Sequence, residues 1–196
     1  MYKTAVLDVD GVLLDITPVL SIWCYEKYGK LITEEFVTSW DWDYCLGIDF
    51  DSDVWNHVWD TPMPLFDGAD LLIEGLRRLG YKIVLLSCRP EIWKGLKNEA
   101  AAREAAYRDF GKIDHDEKIL VNSSKEKVEM VNWLIERDRK TPSFVVEDHP
   151  VNAKMIGDNT PVDSYLLTRP WNRECITLTN SWKRVVDYGD LLRRVA

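Results

Sequence analysis

The stretch AVLDVDGVLLD, residues 5–15, decides the fold because it joins a continuous apolar run to two acidic residues and a glycine. A short run that is apolar on both faces is typical of a strand buried in a parallel sheet. Asp8 and Asp10 stand at the end of this run, and Gly11 lets the backbone turn tightly there. The stretch therefore predicts a first buried strand, residues 4–9, whose carboxyl end carries acidic side chains.

Further apolar runs alternate with helical patterns along the rest of the chain. The remaining predicted strands are residues 82–86, 118–121, 143–146 and 163–167. The predicted helices are residues 69–79, 91–110, 125–137 and 182–195. Strands that alternate with helices predict an α/β fold, a three-layer Rossmann-like core around a parallel sheet with right-handed crossovers.

Residues 16–64 interrupt this alternation and contain no convincing buried strand. They predict a small helical cap inserted after the first strand, with helices near residues 18–28, 33–39 and 51–59. The predicted core is then residues 1–15 and 65–196. Ligands of such sheets bind at the carboxyl ends of the strands, so we expect the cap to overhang the site.

The composition limits the class of partner. The chain has 196 residues, 46% of them hydrophobic and 30% charged, and a net charge of −8. A negative charge disfavours binding to a nucleic-acid polymer or to an anionic membrane. The four cysteines are far apart and form no CxxC pair, which argues against a zinc site or a disulfide framework and favours a cytoplasmic location. The chain shows neither a signal-peptide pattern nor an apolar run long enough to span a bilayer.

Charged and hydroxyl residues also accumulate where the later strands end. Ser87 ends the second strand, Lys125 follows the third, and Glu147 and Asp148 end the fourth. The carboxyl ends of parallel strands meet at one edge of the sheet, so these side chains should converge on Asp8. Clustered carboxylates repel one another, and Mg²⁺ with its oxygen ligands resolves that conflict.

The spacing also predicts roles. Asp8 can reach the metal and a phosphorus atom, while Asp10 can offer its backbone carbonyl to the metal and keep its carboxyl free for proton transfer. Ser87 and Lys125 would bind the phosphoryl oxygens as a hydroxyl donor and a fixed positive charge. The other candidates for this lysine are Lys118 and Lys127. Lys125 is preferred because it directly follows the strand, at the start of a helix.

Four segments in order resemble the motifs of the haloacid dehalogenase-like (HAD) superfamily. They are AVLDVDGVLLD (5–15), LLSCRP (85–90), Lys125 after ILVNSS, and VVEDHP (145–150). Within the superfamily the chain is most similar to the 5′(3′)-deoxyribonucleotidase family, through DVDGVLLD, the short helical cap, TPMPLFDGADLLIEGLRRLG, and LLTRPWNR at residues 166–173. It departs from that family at Cys88-Arg89, and at Glu147, where the relatives often have an aspartate.

This resemblance implies a Mg²⁺-dependent phosphomonoester hydrolase. Asp8 would be the nucleophile that forms an aspartyl phosphate, and Asp10 the acid that protonates the leaving oxygen and the base that activates water. The implied metal ligands are Asp8, Asp10 and Asp148, with Glu147 acting through a water. The implied phosphate-binding residues are Ser87, Cys88 and Lys125. The candidate substrate contacts are Phe36, Trp40, Trp42 and Arg89.

A nucleoside monophosphate is the first substrate expected, with a 5′(3′)-(deoxy)ribonucleotidase as the activity. The alternatives are a phosphatase of another small ester, such as a sugar phosphate or a nucleic-acid phosphate end, a phospho-aspartate receiver, and a non-catalytic scaffold. The sequence does not determine the oligomeric state, and a homodimer is compatible with it.

Overall fold

The computed structural model describes residues 3–33, 36–39, 47, 52–89, 99–175 and 181–196. Its strands are β1 (Lys3–Leu7), β2 (Tyr81–Cys88), β3 (Glu117–Val121), β4 (Phe144–Glu147), β5 (Asp163–Leu167) and β6 (Lys183–Val185). Its helices are α1 (Thr17–Tyr28), α2 (Ser52–Asp60), α3 (Ala69–Arg78), α4 (Glu99–Phe110), α5 (Ser124–Asp138), α6 (Pro150–Asn159) and α7 (Tyr188–Val195).

The six strands form one parallel sheet in the order β3-β2-β1-β4-β5-β6. This confirms the predicted α/β class. In the register of the sheet, Leu7 of β1 lies beside Leu85 of β2 and Val146 of β4. The residues that follow Leu7 therefore leave the sheet between the ends of β2 and β4, at its centre.

Both faces of the sheet are covered, as the continuous apolar runs require. Successive residues of a strand point to opposite faces. Ala5 and Leu7 pack in the same core cluster as Leu72 of α3 and Leu191 of α7. Val6 packs instead with residues of α5 and α6, which form a separate cluster. The result is three layers, with helices on each side of β1.

Two predicted helices, 182–195 and 33–39, differ from the structure, and a third lies partly outside the described residues. Residues 182–195 are not one helix, because 183–185 pair with Tyr165–Leu167 as β6, and the Asp187 side chain then accepts a hydrogen bond from the Asp190 amide to begin α7. Of predicted helix 91–110, residues 91–98 lie outside the described part. Of predicted helix 33–39, the described residues form a turn in which the Phe36 amide donates to the Thr33 carbonyl at 3.0 Å.

The two ends of the predicted insertion, 16–64, lie side by side. The Asp15 amide donates to the Pro64 carbonyl at 2.9 Å, and the Phe66 amide donates to the Leu13 carbonyl at 2.9 Å. Between them, α1 and α2 pack with Val54 and Val58 fully buried. The cap boundaries remain a prediction. None of the helices in the described residues is long and apolar enough to cross a membrane.

Candidate active site

Three acidic side chains at the ends of β1 and β4 meet at the carboxyl edge of the sheet. Asp8, Glu147 and Asp148 each offer a carboxylate oxygen, and these oxygens lie within 4.8 Å of one another. All three residues are buried. The Asp8 amide donates to the Val146 carbonyl at 2.9 Å, which joins the end of β1 to β4. Adjacent parallel strands thus create the acidic cluster, defined here as Asp8, Glu147 and Asp148.

The lysine of the acidic cluster is Lys127, and the prediction of Lys125 was wrong in its placement. The Lys127 ammonium lies 2.7 Å from Asp8 Oδ2 and 2.8 Å from Glu147 Oε1. Its side chain is 1% exposed. The Lys125 side chain is 81% exposed and pairs across the surface with Glu129 at 3.6 Å.

Helix geometry explains the difference. Successive helical residues are about 100° apart, so Lys125 and Lys127 point to nearly opposite sides of α5. Lys127 shares the inner face with Val131 and Leu134, four and seven residues later, and both are buried. The apolar periodicity of the helix could therefore have identified Lys127 from sequence.

Charge and burial act strongly on these groups. Burial alone would lower the pKa of the Lys127 ammonium, but the adjacent carboxylates of Asp8 and Glu147 outweigh it and raise that pKa. Burial, followed by the negative charge of Asp8, raises the pKa of Glu147 well above its usual value. The same two causes raise the pKa of Asp148 to about 8. One buried lysine therefore does not fully compensate three buried carboxylates.

A divalent cation fits this arrangement. Asp148 Oδ1 is buried and has no hydrogen-bond partner in the described part of the chain. A buried oxygen without a partner is rare in folded proteins. Carboxylate oxygens are the ligands that Mg²⁺ prefers, and a second positive charge would balance the cluster. Asp8 and Asp148 have the chemistry required of ligands. Glu147 lies close enough to be one, although Lys127 and the Asn152 amide, at 3.3 Å, already bind its two oxygens.

Gly11 brings the two acidic loops into contact. Its φ angle is +77°, which is in the left-handed region that glycine adopts readily. A Cβ atom at this position would lie 2.1 Å from Asp148 Oδ2. Only a residue without a side chain therefore allows the loop after β1 to approach Asp148 this closely.

Asp10 lies beside the cluster and is held by β2. Its carboxylate accepts a hydrogen bond from Ser87 Oγ at 2.9 Å and two from Arg89, from Nε at 2.8 Å and from Nη2 at 2.6 Å. Burial alone would raise the pKa of Asp10, but the Arg89 charge and these hydrogen bonds lower it. Asp10 is therefore a carboxylate at neutral pH. Its role as a metal ligand stays a prediction.

Arg89 was predicted to be a substrate contact, and its position differs from that prediction. It is 4% exposed, and besides Asp10 it contacts Asp109 at 3.4 Å. Its guanidinium also lies over the ring of Phe110, 5.5 Å from the centroid. These contacts place the Arg89 guanidinium against Asp10 and Asp109, where it holds the Asp10 carboxylate.

The other predicted contacts divide into described and undescribed residues. Cys88 is partly buried against the cluster of apolar residues that includes Val128, and burial raises the pKa of its thiol to about 11. Phe36 is 58% exposed in the insertion. Trp40 and Trp42 lie outside the described residues. The predicted roles, phosphate binding for Cys88 and substrate contact for Phe36, stay predictions.

Residues 169–172, here called the RPWN turn, also reach this edge and were not predicted as site residues. The turn follows β5, which lies beside β4 in the sheet. Trp171 Nε1 donates to Asp148 Oδ2 at 2.8 Å. The position of this segment after a predicted strand was the available signal, because every strand of a parallel sheet ends at the same edge.

Comparisons with known proteins support the fold through structure alone. Neither a scan against protein-family models nor a search of curated proteins finds a match for this chain. A predicted phosphoglycolate phosphatase from Haemophilus somnus 129PT is 15% identical, with a TM-score of 0.58, over 100% of this chain and 98% of its own.

Two further solved structures show the same likeness. A D,D-heptose 1,7-bisphosphate phosphatase from B. bronchiseptica, complexed with magnesium and phosphate, is 12% identical with a TM-score of 0.59, over 98% of this chain and 97% of its own. A dehalogenase is 13% identical with a TM-score of 0.57, over 98% of this chain and 96% of its own. The chain thus has the parallel α/β fold of these proteins, and a shared fold does not by itself assign an activity.

Proposed function

We propose that this chain is a Mg²⁺-dependent phosphomonoester hydrolase that works through an aspartyl phosphate on Asp8. The observation that carries the proposal is the buried acidic cluster, in which Asp148 Oδ1 lacks a partner among the described residues and Lys127 contacts Asp8 and Glu147. A structural salt bridge would not require three carboxylates around one ammonium. A site for a cation and a phosphoryl group accounts for all of them.

In the first step a carboxylate oxygen of Asp8 forms a bond to phosphorus, and the ester oxygen leaves with its bonding electrons. Asp8 is oriented for this by two hydrogen-bond donors, Val9 N–H to Oδ1 at 2.8 Å and the Lys127 ammonium to Oδ2. Lys127 also provides a fixed positive charge for the phosphoryl oxygens. Lys127 thus has the role that was predicted for Lys125.

In the second step Asp10 removes a proton from water, and the resulting hydroxide displaces Asp8 from phosphorus. Its lowered pKa supplies the carboxylate form that a base needs. The same carboxyl would protonate the leaving oxygen in the first step. Since Arg89 and Ser87 favour the unprotonated form, only a small fraction of Asp10 carries at neutral pH the proton that the first step delivers to the leaving oxygen.

The residues that would hold Mg²⁺ are Asp8 and Asp148, with the Asp10 backbone carbonyl, and with Glu147 directly or through a water. Bound there, the cation would neutralise charge on the phosphoryl oxygens and orient the substrate. The heptose bisphosphate phosphatase with a similar fold is complexed with magnesium and phosphate, which supports the same choice of metal.

The substrate class is a small phosphate ester. Two similar structures are described as a predicted phosphoglycolate phosphatase and a heptose bisphosphate phosphatase, which favours sugar phosphates and related esters. The proposal that the substrate is a nucleoside monophosphate is based on the sequence resemblance and on the aromatic residues of the predicted cap, Phe36, Trp40 and Trp42. A homodimer and a cytoplasmic location remain predictions.

The experiment is phosphate release from a panel of monophosphates in Mg²⁺ and in EDTA, with Asp8→Asn as the blank. The panel contains 5′- and 3′-deoxynucleotides, ribonucleotides and sugar phosphates. We expect metal-dependent phosphate release from at least one class of substrate and none with Asp8→Asn. Circular dichroism checks that Asp8→Asn is folded. Release that persists in Asp8→Asn would contradict the mechanism.

The panel also separates the competing functions. Release concentrated on nucleotides would support the nucleotidase, and release concentrated on sugar phosphates would favour the alternative ester. A lasting phospho-aspartate without turnover would indicate a receiver. No release together with no phosphorylation would favour a scaffold.

A further inference from the structure

The RPWN turn contacts both acidic loops of the site, and the proposed reaction assigns it no role. Arg169 binds the loop after β1, donating from Nε to the Gly11 carbonyl at 2.6 Å and from Nη2 to the Val12 carbonyl at 2.9 Å. Trp171 and Asn172 bind the loop after β4, where both contacts are to Asp148. One short segment thus connects two loops that each carry residues of the proposed metal site.

The contacts to Asp148 fix both its backbone and its side chain. Asn172 Nδ2 donates to the Asp148 carbonyl at 2.7 Å and to the Leu167 carbonyl at 2.8 Å. Trp171 Nε1 donates to Asp148 Oδ2 at 2.8 Å, and Trp171 is 4% exposed. Because Oδ2 is bound by the indole, the other oxygen, Oδ1, is the one without a partner within the described part of the protein. The indole therefore determines which oxygen of Asp148 is available to a cation.

Arg169 is itself held in place. Its guanidinium lies over the ring of Phe66, 3.6 Å from the centroid, and donates to Tyr188 Oη at 2.9 Å. The Tyr188 hydroxyl in turn donates to the Val12 carbonyl. The side chain is thus fixed by stacking as well as by hydrogen bonds, and so is the loop that contains Asp8 and Asp10.

We propose that Trp171 and Arg169 are positioning residues for a divalent cation: the RPWN turn orients Asp148 and the loop after β1 so that both can coordinate it. This inference rests on the proposed metal site, but it concerns cation affinity rather than turnover. Groups that orient metal ligands typically change metal affinity by about 10–100-fold when they are removed.

The test compares Trp171→Phe with Trp182→Phe, using Mg²⁺ as the probe. Phenylalanine keeps an apolar ring but removes the indole N–H donor. Trp182 is also buried but packs with Ala153 and Leu166, so it is a control for the loss of a buried tryptophan. Mg²⁺ dissociation constants are measured by calorimetry, and the melting temperature is measured in EDTA and in Mg²⁺.

We expect Trp171→Phe to weaken Mg²⁺ binding by about 10–100-fold, with Trp182→Phe within twofold of wild type. Trp171→Phe should also show a smaller rise in melting temperature on adding Mg²⁺. Equal Mg²⁺ affinity in wild type and Trp171→Phe would overturn the proposal, as would a loss of affinity that Trp182→Phe reproduces.

Arg169→Lys keeps the test decisive if Trp171→Phe does not fold. A lysine cannot reproduce the two-pronged contact of the guanidinium, so weaker Mg²⁺ binding is again expected, and unchanged binding would overturn the role of the turn. The two proposals can fail separately. A wild-type chain that binds Mg²⁺ but hydrolyses nothing would refute the proposed function, while normal hydrolysis with unchanged Mg²⁺ affinity in Trp171→Phe and Arg169→Lys would refute only this inference.

Discussion

Lys127 and Lys125 are two residues apart, but the structure predicts very different consequences when each is replaced by methionine. Lys127→Met leaves Asp8 and Glu147 buried without their cation. Removing one partner of a buried ion pair destabilises a protein by about 3–5 kcal/mol. Lys125→Met removes only an exposed contact to Glu129 at 3.6 Å. Such helical surface pairs contribute about 0.3–0.5 kcal/mol.

These magnitudes are well separated in a thermal denaturation experiment. For a chain of this size, 1 kcal/mol changes the melting temperature by about 2–4 °C. In EDTA, Lys127→Met should therefore melt about 6–20 °C below wild type, and Lys125→Met no more than about 2 °C below it. We also expect Lys127→Met to lose phosphate release and Lys125→Met to retain it.

The pH dependence gives a second check on Lys127→Met. Removing the ammonium raises the pKa of the buried Glu147 and Asp148 carboxyls further above their unfolded values. An acid with a raised folded pKa destabilises the native state at high pH, and protonation relieves this as the pH falls. The difference from wild type should be larger at about pH 8 than at about pH 5. Equal melting temperatures for the two variants, or a larger loss in Lys125→Met, would refute the assignment of Lys127.

Three further predictions concern neighbouring residues. Gly11→Ala should abolish measurable Mg²⁺ binding in calorimetry, because its Cβ would lie 2.1 Å from a carboxylate oxygen of the cluster. The control is Gly29→Ala, also at positive φ but in open space, which should retain Mg²⁺ binding and lose about 1–2 kcal/mol of stability. Equal Mg²⁺ binding in both variants would contradict the contact. Arg89→Lys should move the acid limb of the pH–rate profile to higher pH, because the paired hydrogen bonds that lower the pKa of Asp10 are lost. An acid limb at the wild-type pH would contradict the role of Asp10 as the general base. Cys88 should be about one part in a thousand thiolate at about pH 8. The rate of its alkylation should therefore rise about tenfold per pH unit up to about pH 10, as measured by mass spectrometry with Cys88→Ser as the control. An alkylation rate independent of pH would be evidence against the raised pKa.

The sequence by itself determined the parallel α/β fold and the location of the acidic site. Short runs that are apolar on both faces can be buried only between two helical layers, and predicted strand 163–167 matches β5 in both bounds. Asp8, Ser87 and Glu147 could be assigned to one edge because parallel strands all end on the same side. These are properties of local pattern and of topology, and a single chain reports both.

Tertiary structure decided which side chains at that edge touch. Strand β6 has only three residues and pairs with β5. The helical pattern of the residues after it therefore predicted a single helix over 182–195. From sequence, Arg89 could face either a substrate or Asp10. In the structure its buried guanidinium forms ion pairs with Asp10 and Asp109. The RPWN turn reaches Gly11 from more than 150 residues away along the chain. Contacts of this kind depend on the order of the strands and on distances of a few ångströms, which local periodicity does not encode.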